Sequence, residues 1–263
     1  MSKIDVLIVP KLRKSSLKAA KILRSSNYRV IFLDFPSNLQ SLISEYIASH
    51  LKLQDLLCKI ESLRLIPEPV SSWLYLNNPL LEALKRLRKP AKVYCYGDVD
   101  YCHILAETSA KIARLTLRAS ITGRIDVKEW IRTLEERCRS EILEAEADFI
   151  GYKAEDESIC ITGISGWKIA KYIRRYGYQV RVRCVERLYH FKPLETLMFL
   201  MDTGSLTRKT ATNLIREHVE FIREYLLTSK DLDEAYYSWI HKKHRDIKPL
   251  NASIGFSQGS TYF

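Results

Sequence analysis

The stretch ICITGISGWKIAKYIRRYGYQVRVRCV, residues 159–185, decides the fold. Ile159, Cys160, Ile161 and Thr162 form a short apolar, β-prone run, and a turn with Gly163 and Gly166 follows. Residues 167–176 carry helical spacing, and Gly177 supplies the left-handed residue that ends such a helix. Residues 179–185 then read as a second strand. A strand, a crossover helix and a strand make a parallel βαβ unit. In open parallel sheets, turns at the carboxyl ends of strands carry the binding chemistry. The amides around Gly163, Ser165 and Gly166 would suit an anion at a helix start. Yet the turn has two glycines where a dinucleotide fingerprint needs three. Gly166 is followed by Trp167, where a phosphate loop needs Lys and Ser or Thr. A tight structural turn is the competing reading.

Outward from this unit the same alternation holds. Residues 5–9, 28–34 and 91–96 are short apolar runs suited to strands buried on both faces. Helical spacing fills the intervals around 17–23, 38–50 and 53–65, and Pro79 reads as the first residue of a further helix. Residues 102–119 and 127–149 read as two long helices. The second carries Val127, Ile131, Leu134, Cys138, Ile142 and Ala145 on one face. After residue 185 the strands stop, and residues 194–201, 207–227 and 231–243 read as helices. The expected architecture is α/β, a mainly parallel sheet with helices on both faces plus an all-helical carboxyl-terminal extension. The α/β domain would span 1–186, the helical extension 187–245 and a flexible tail 246–263.

The 263 residues are 46% apolar, enough for a sizeable core, and no apolar run approaches the ~18–20 residues of a membrane span. The start, MSKIDVLIVPK, suits a strand and not a signal peptide, so a cytoplasmic location is expected. Six cysteines lack metal-type spacing, and those at 95, 160 and 184 suit buried free thiols on strands. Only ten residues are Asn or Gln, a composition that leans towards a thermophile. Lys and Arg exceed Asp and Glu by 42 − 31 = 11. That surplus favours anionic partners, nucleic acid first. The basic residues expected to meet it are Lys171, Arg174, Arg175, Arg181 and Arg183, interleaved with tyrosines, together with Arg208 and Lys209 at a helix start.

A second set of residues points to chemistry. YGDVDYCH places Asp98, Asp100, Cys102 and His103 just after the third strand, where carboxylates and an imidazole serve acid–base catalysis or hold a divalent metal. Asp98 or Asp100 equally caps the next helix. Asp34 closes the second strand in the position of a catalytic carboxylate, and Arg137 lies in EERCRSEILEAEAD, whose default reading is a solvated ion-pair face. The helix from 207 packs through Ala211, Leu214, Ile215, Phe221, Ile222 and Leu226, with His218 on the same side. It suits a helical hairpin that docks a protein partner. In HKKHR, residues 241–245, a solvated helix end is the expectation.

The order KSSLKAAKIL, VIFLDFPSNLQSLIS, PLLEALKRLRKPAKVYCYGD, ERCRSEIL and ICITGISGWKIAKYIRRYGYQV resembles the TraB/ChaN/erythromycin-esterase-like superfamily over residues 4–185. The resemblance implies a hydrolytic fold with a histidine after the first strand, an acidic residue with Gly-Pro after the second, a helix arginine and a Gly-x-x-His turn. Asp34 would match the carboxylate and Arg137 the arginine. VPKLRKSS has no histidine, however, and Gly166 stands where the turn histidine should be. The expected function is therefore a non-catalytic pseudoenzyme that needs no cofactor and binds nucleic acid within a larger assembly. The alternatives are a metal-dependent hydrolase at Asp34 and residues 98–103, or a structural subunit.

Overall fold

A computed structural model describes residues 3–137 and 140–246. The chain forms two compact units. One is an α/β unit of the described residues up to 103 and from 140 to 187, and the other is a helical unit of residues 104–137 and 188–246. Cys138, Arg139 and the expected tail beyond Asp246 lie outside the described residues.

Five parallel strands build the sheet: β1 (Lys3–Ile8), β2 (Val30–Pro36), β3 (Lys92–Gly97), β4 (Ser158–Thr162) and β5 (Gln179–Cys184). Their order is β3-β2-β4-β1-β5, so β4 inserts between the first two strands and β5 takes the far edge. Side chains alternate between the faces. Leu7, Ile31, Leu33, Ile159 and Ile161 pack on one side against α1 (Arg13–Ser25), α2 (Gln40–Ile47), α3 (Leu53–Ser62) and α4 (Val70–Leu84). Ile4, Val6, Val30, Phe32 and Cys160 pack on the other against α7 (Ser140–Lys153) and α8 (Gly166–Ile173). Both faces are covered, which is why the strands are apolar runs and not alternating ones.

Pro79 does not open a helix. It lies inside α4, which begins nine residues earlier at Val70. A proline there cannot bond the carbonyl four residues back, and that carbonyl is Tyr75's. The Arg13 guanidinium donates to it at 2.6 Å. α1 thus satisfies the backbone acceptor that Pro79 leaves open, and the helix continues through the proline.

The expected helix over 127–149 is two helices, α6 (Val127–Glu135) and α7. Asp126 caps α6, its carboxylate accepting the Glu129 N–H at 3.2 Å. Trp130 and Leu134 belong to the core of the helical unit, whereas Ala147 and Ile150 belong to the sheet's. One straight helix cannot place its apolar face in two cores, so the charged stretch between them breaks.

The helical unit comprises most of α5 (Val99–Thr122), α6, α9 (Pro193–Asp202), α10 (Arg208–Phe221) and α11 (Leu232–Asp246). Ile112, Leu115, Trp130, Leu134, Leu197 and Ile215 form the centre of its core. α10 starts one residue after Thr207, whose hydroxyl accepts the Thr210 N–H at 3.2 Å, and continues past Phe221 as one π turn to Leu226. Among the described residues no helix is long and apolar enough to cross a membrane.

Candidate active site

The carboxyl ends of β3, β2 and β4 lie side by side, and each presents polar groups there. On β2 the register slips between Leu33 and Pro36, so Asp34 and Phe35 form a bulge. A bulge bends the strand and re-aims a side chain. Gly97 makes room for it, since a Cβ there would stand 2.9 Å from the Phe35 carbonyl oxygen. Asp34 follows Val30 and Phe32 in parity and so continues the face covered by α7 and α8. Solvent reaches its side chain, yet protein surrounds it, and this burial raises its acidity constant above the ordinary 3.8. The charge of Lys11 and a hydrogen bond donated by the Gly163 amide pull in the opposite direction.

Asp98, directly after β3, caps α5: its carboxylate accepts the Tyr101 N–H at 2.7 Å. Its own N–H donates to Glu146 Oε1 at 3.1 Å. Glu146 comes from α7 and is buried. Burial pushes its carboxyl up to about 8, aided by the negative charges of Asp34 and Asp98 and opposed by the hydrogen bond from the Asp98 amide. At neutral pH Glu146 therefore holds a proton while facing a solvent-accessible Asp34. The surroundings are thiol and phenol. Cys102 is held up to about 12 by burial and by the charges of Asp34 and Glu146, so it is no thiolate nucleophile. The Tyr96 hydroxyl donates to the Ile161 carbonyl at 3.2 Å, and its ionisation is suppressed by burial and by the same carboxylates.

Thus Asp34 and Asp98, two of the residues singled out from sequence, share this site. Asp100 and His103 do not join it. α5 begins at Val99, one residue after its cap, so Cys102 falls on the carboxylates' side while Asp100 and His103 turn outward and are exposed. Arg137 belongs to the helical unit, where its guanidinium donates to Asp202 at 3.4 Å and to the Met198 carbonyl at 3.5 Å. Glu146 was hidden in a stretch read as a solvated charge ladder. The signal was there in the spacing: Leu143, Ala147 and Ile150 mark the buried stripe of α7, and Glu146 falls within it.

The glycine turn has a structural task. Gly166 donates to the Gly163 carbonyl at 3.1 Å, and a Cβ on Gly166 would stand 2.3 Å from Thr162 Cγ2. The Gly163 amide serves Asp34, and Ser165 is exposed. The amides of this turn are spent on the protein itself and do not form an anion cradle.

The expected nucleic-acid contacts divide. Arg183 is tied to Asp5 at 2.5 Å and to the Tyr28 hydroxyl at 3.0 Å, and Arg175 pairs with Glu144. Lys171, Arg174 and Arg181 are exposed, as are Arg208 and Lys209 in the helical unit. Among the described residues no three His, Cys, Asp or Glu side chains gather as a metal-binding group, and the cysteines at 58, 95, 102, 160 and 184 are free thiols. No protein family, characterised protein or solved structure matches the chain.

Proposed function

We propose that the α/β unit is a hydrolase whose chemistry rests on two carboxyl groups. Asp34 acts as the general base and Glu146 as the general acid. The observation that carries this reading is the pairing of a protonated, buried Glu146 with a solvent-accessible Asp34 at the carboxyl ends of adjacent parallel strands. Two carboxyls whose surroundings hold them in different protonation states are the requirement for splitting a bond with water. Asp34 orients and deprotonates the water, and Glu146 gives its proton to the departing oxygen. Asp98 fixes Glu146 through its amide, and Lys11 balances the charge of Asp34. The position of Asp34 also agrees with the carboxylate implied by the superfamily resemblance.

The test is a panel of chromogenic glycosides, carboxylic esters and phosphate esters, turned over by the wild type, Asp34→Asn and Glu146→Gln. Under this reading one class is hydrolysed with a bell-shaped pH profile, and each variant lowers the rate by about a hundredfold or more. Equal turnover by all three proteins sinks it.

The exposed Lys171, Arg174 and Arg181, with a half-exposed Tyr176 between them, support a second reading in which this edge holds nucleic acid. Binding of labelled single- and double-stranded RNA and DNA across a salt series tests it, and absence of binding at low salt removes it.

A further inference from the structure

The helical unit carries an open groove of about 380 Å³ between α6 and the start of α10. Its floor is apolar, formed by Val127 and Ile131, one turn apart on α6, with Leu206 and Ala211 opposite. Three cations rim it: Lys128 and Arg132, again one turn apart, and Arg208 on the other wall. All three are exposed, and no ion pair engages them among the described residues. Glu135 is the single acidic side chain along the groove.

We infer that this groove docks an amphipathic helix of a protein partner that is apolar on one face and acidic on its flanks. The shape supports this reading. Apolar residues at one-turn spacing on α6 match the ridge of a helix laid alongside, whose anchors recur at the same spacing. The charge supports it as well, because three unpaired cations around an apolar floor select carboxylates at the edges and exclude basic helices. Single-stranded nucleic acid, the other polyanion, binds through aromatic platforms between its phosphate contacts. No aromatic side chain lines this groove, so the floor offers bases nothing to stack on. The inference uses only residues of the helical unit and does not depend on the carboxyl site.

The experiment uses the full chain and a fluorescein-labelled synthetic peptide of about four helical turns. The peptide has leucines at helical spacing along one face and glutamates elsewhere. A permuted peptide of the same composition and a labelled oligothymidylate serve as the other probes. Anisotropy is expected to show binding of the periodic peptide at least about tenfold tighter than of the permuted one, weakened about tenfold again by Lys128→Glu with Arg132→Glu. These two side chains are exposed and are not part of the core, so the variant keeps its circular dichroism spectrum. Ile131→Asp, read the same way, checks the floor. Equal binding of both peptides would reduce the groove to a non-specific charged surface and overturn the inference. So would displacement of the peptide by oligothymidylate, which makes the face a nucleic-acid contact. Concentration-dependent self-association abolished by the double charge reversal would overturn it in favour of a second copy of the chain.

Discussion

Glu146 shows how much one side chain can hold of a protein's pH behaviour. Its carboxyl is pushed from an ordinary 4.5 to about 8, so the unfolded chain releases this proton long before the folded one does. The stabilisation is complete below the unfolded value and is lost as pH rises through about 8. Glu146→Gln keeps an acceptor for the Asp98 N–H and removes the charge. It is expected to raise the melting temperature at about pH 9 by an amount worth on the order of a few kcal/mol, and to change little at about pH 5. Thermal melts at the two pH values check this. An equal shift at both would mean that packing, not ionisation, sets the cost of Glu146. Asp34 was legible in the sequence because it ends a strand. Glu146 was not, because charges crowd its helix and only the phase of the apolar stripe singles it out.

At the scale of elements, the turn after β4 separates two glycines by task. Gly166 lets α8 lie close against Thr162 and Ile8, whose side-chain carbons would stand 2.3 Å and 3.1 Å from an added Cβ. Gly163 has only the Asp34 carboxylate nearby, 4.0 Å from such a Cβ. Gly166→Ala is therefore expected to cost about 1–3 kcal/mol in chemical denaturation, and Gly163→Ala to be nearly neutral. The reverse order would mean that this turn is held by its backbone conformation and not by packing. The missing lysine and histidine of the turn follow from the same geometry: its amides close the turn and hold Asp34, and its second glycine packs a helix. The strands and the helices that flank this turn were legible from apolar periodicity. The continuity of α4 through Pro79 was not, because the partner of the freed carbonyl is Arg13, sixty-two positions away.

For the whole molecule, the two units respond to opposite ends of the pH range. In the helical unit His218 is buried against the edge of Trp130, ring centroids 5.8 Å apart, and its Nδ1 finds no hydrogen-bond partner among the described residues. Burial lowers its acidity constant from 6.5 to about 4. Its contribution to stability is present above the unfolded value and is lost as pH falls through about 4. Acid therefore loosens the helical unit, while alkali loosens the α/β unit through Glu146. Trp130 and Trp239 report on the first, Trp73 and Trp167 on the second. His218→Leu is expected to move the acid fluorescence transition of the helical unit to lower pH, by the equivalent of about 3 kcal/mol, and to leave the alkaline transition of the other unit in place. An unchanged acid midpoint would assign the acid sensitivity to other groups.

Local chemistry determined the parts of this protein that depend on neighbours in the chain. Apolar runs buried on both faces specify parallel strands, the spacing between them specifies crossover helices, and Gly177, in the left-handed region at φ 76°, ends the helix before β5 as its lack of a Cβ allows. The tertiary structure alone decided which residues meet. The order β3-β2-β4-β1-β5 brings Asp34, Asp98 and the turn after β4 together. Packing of α7 on that sheet adds Glu146, and the start of α5 at Val99 admits Cys102 while turning His103 away. It also gathered residues 104–137 with those after 187 into a second core. The reason is physical. Periodicity records which side of an element is buried, but the identity of the partner on that side depends on contacts across the sequence, which no local pattern encodes.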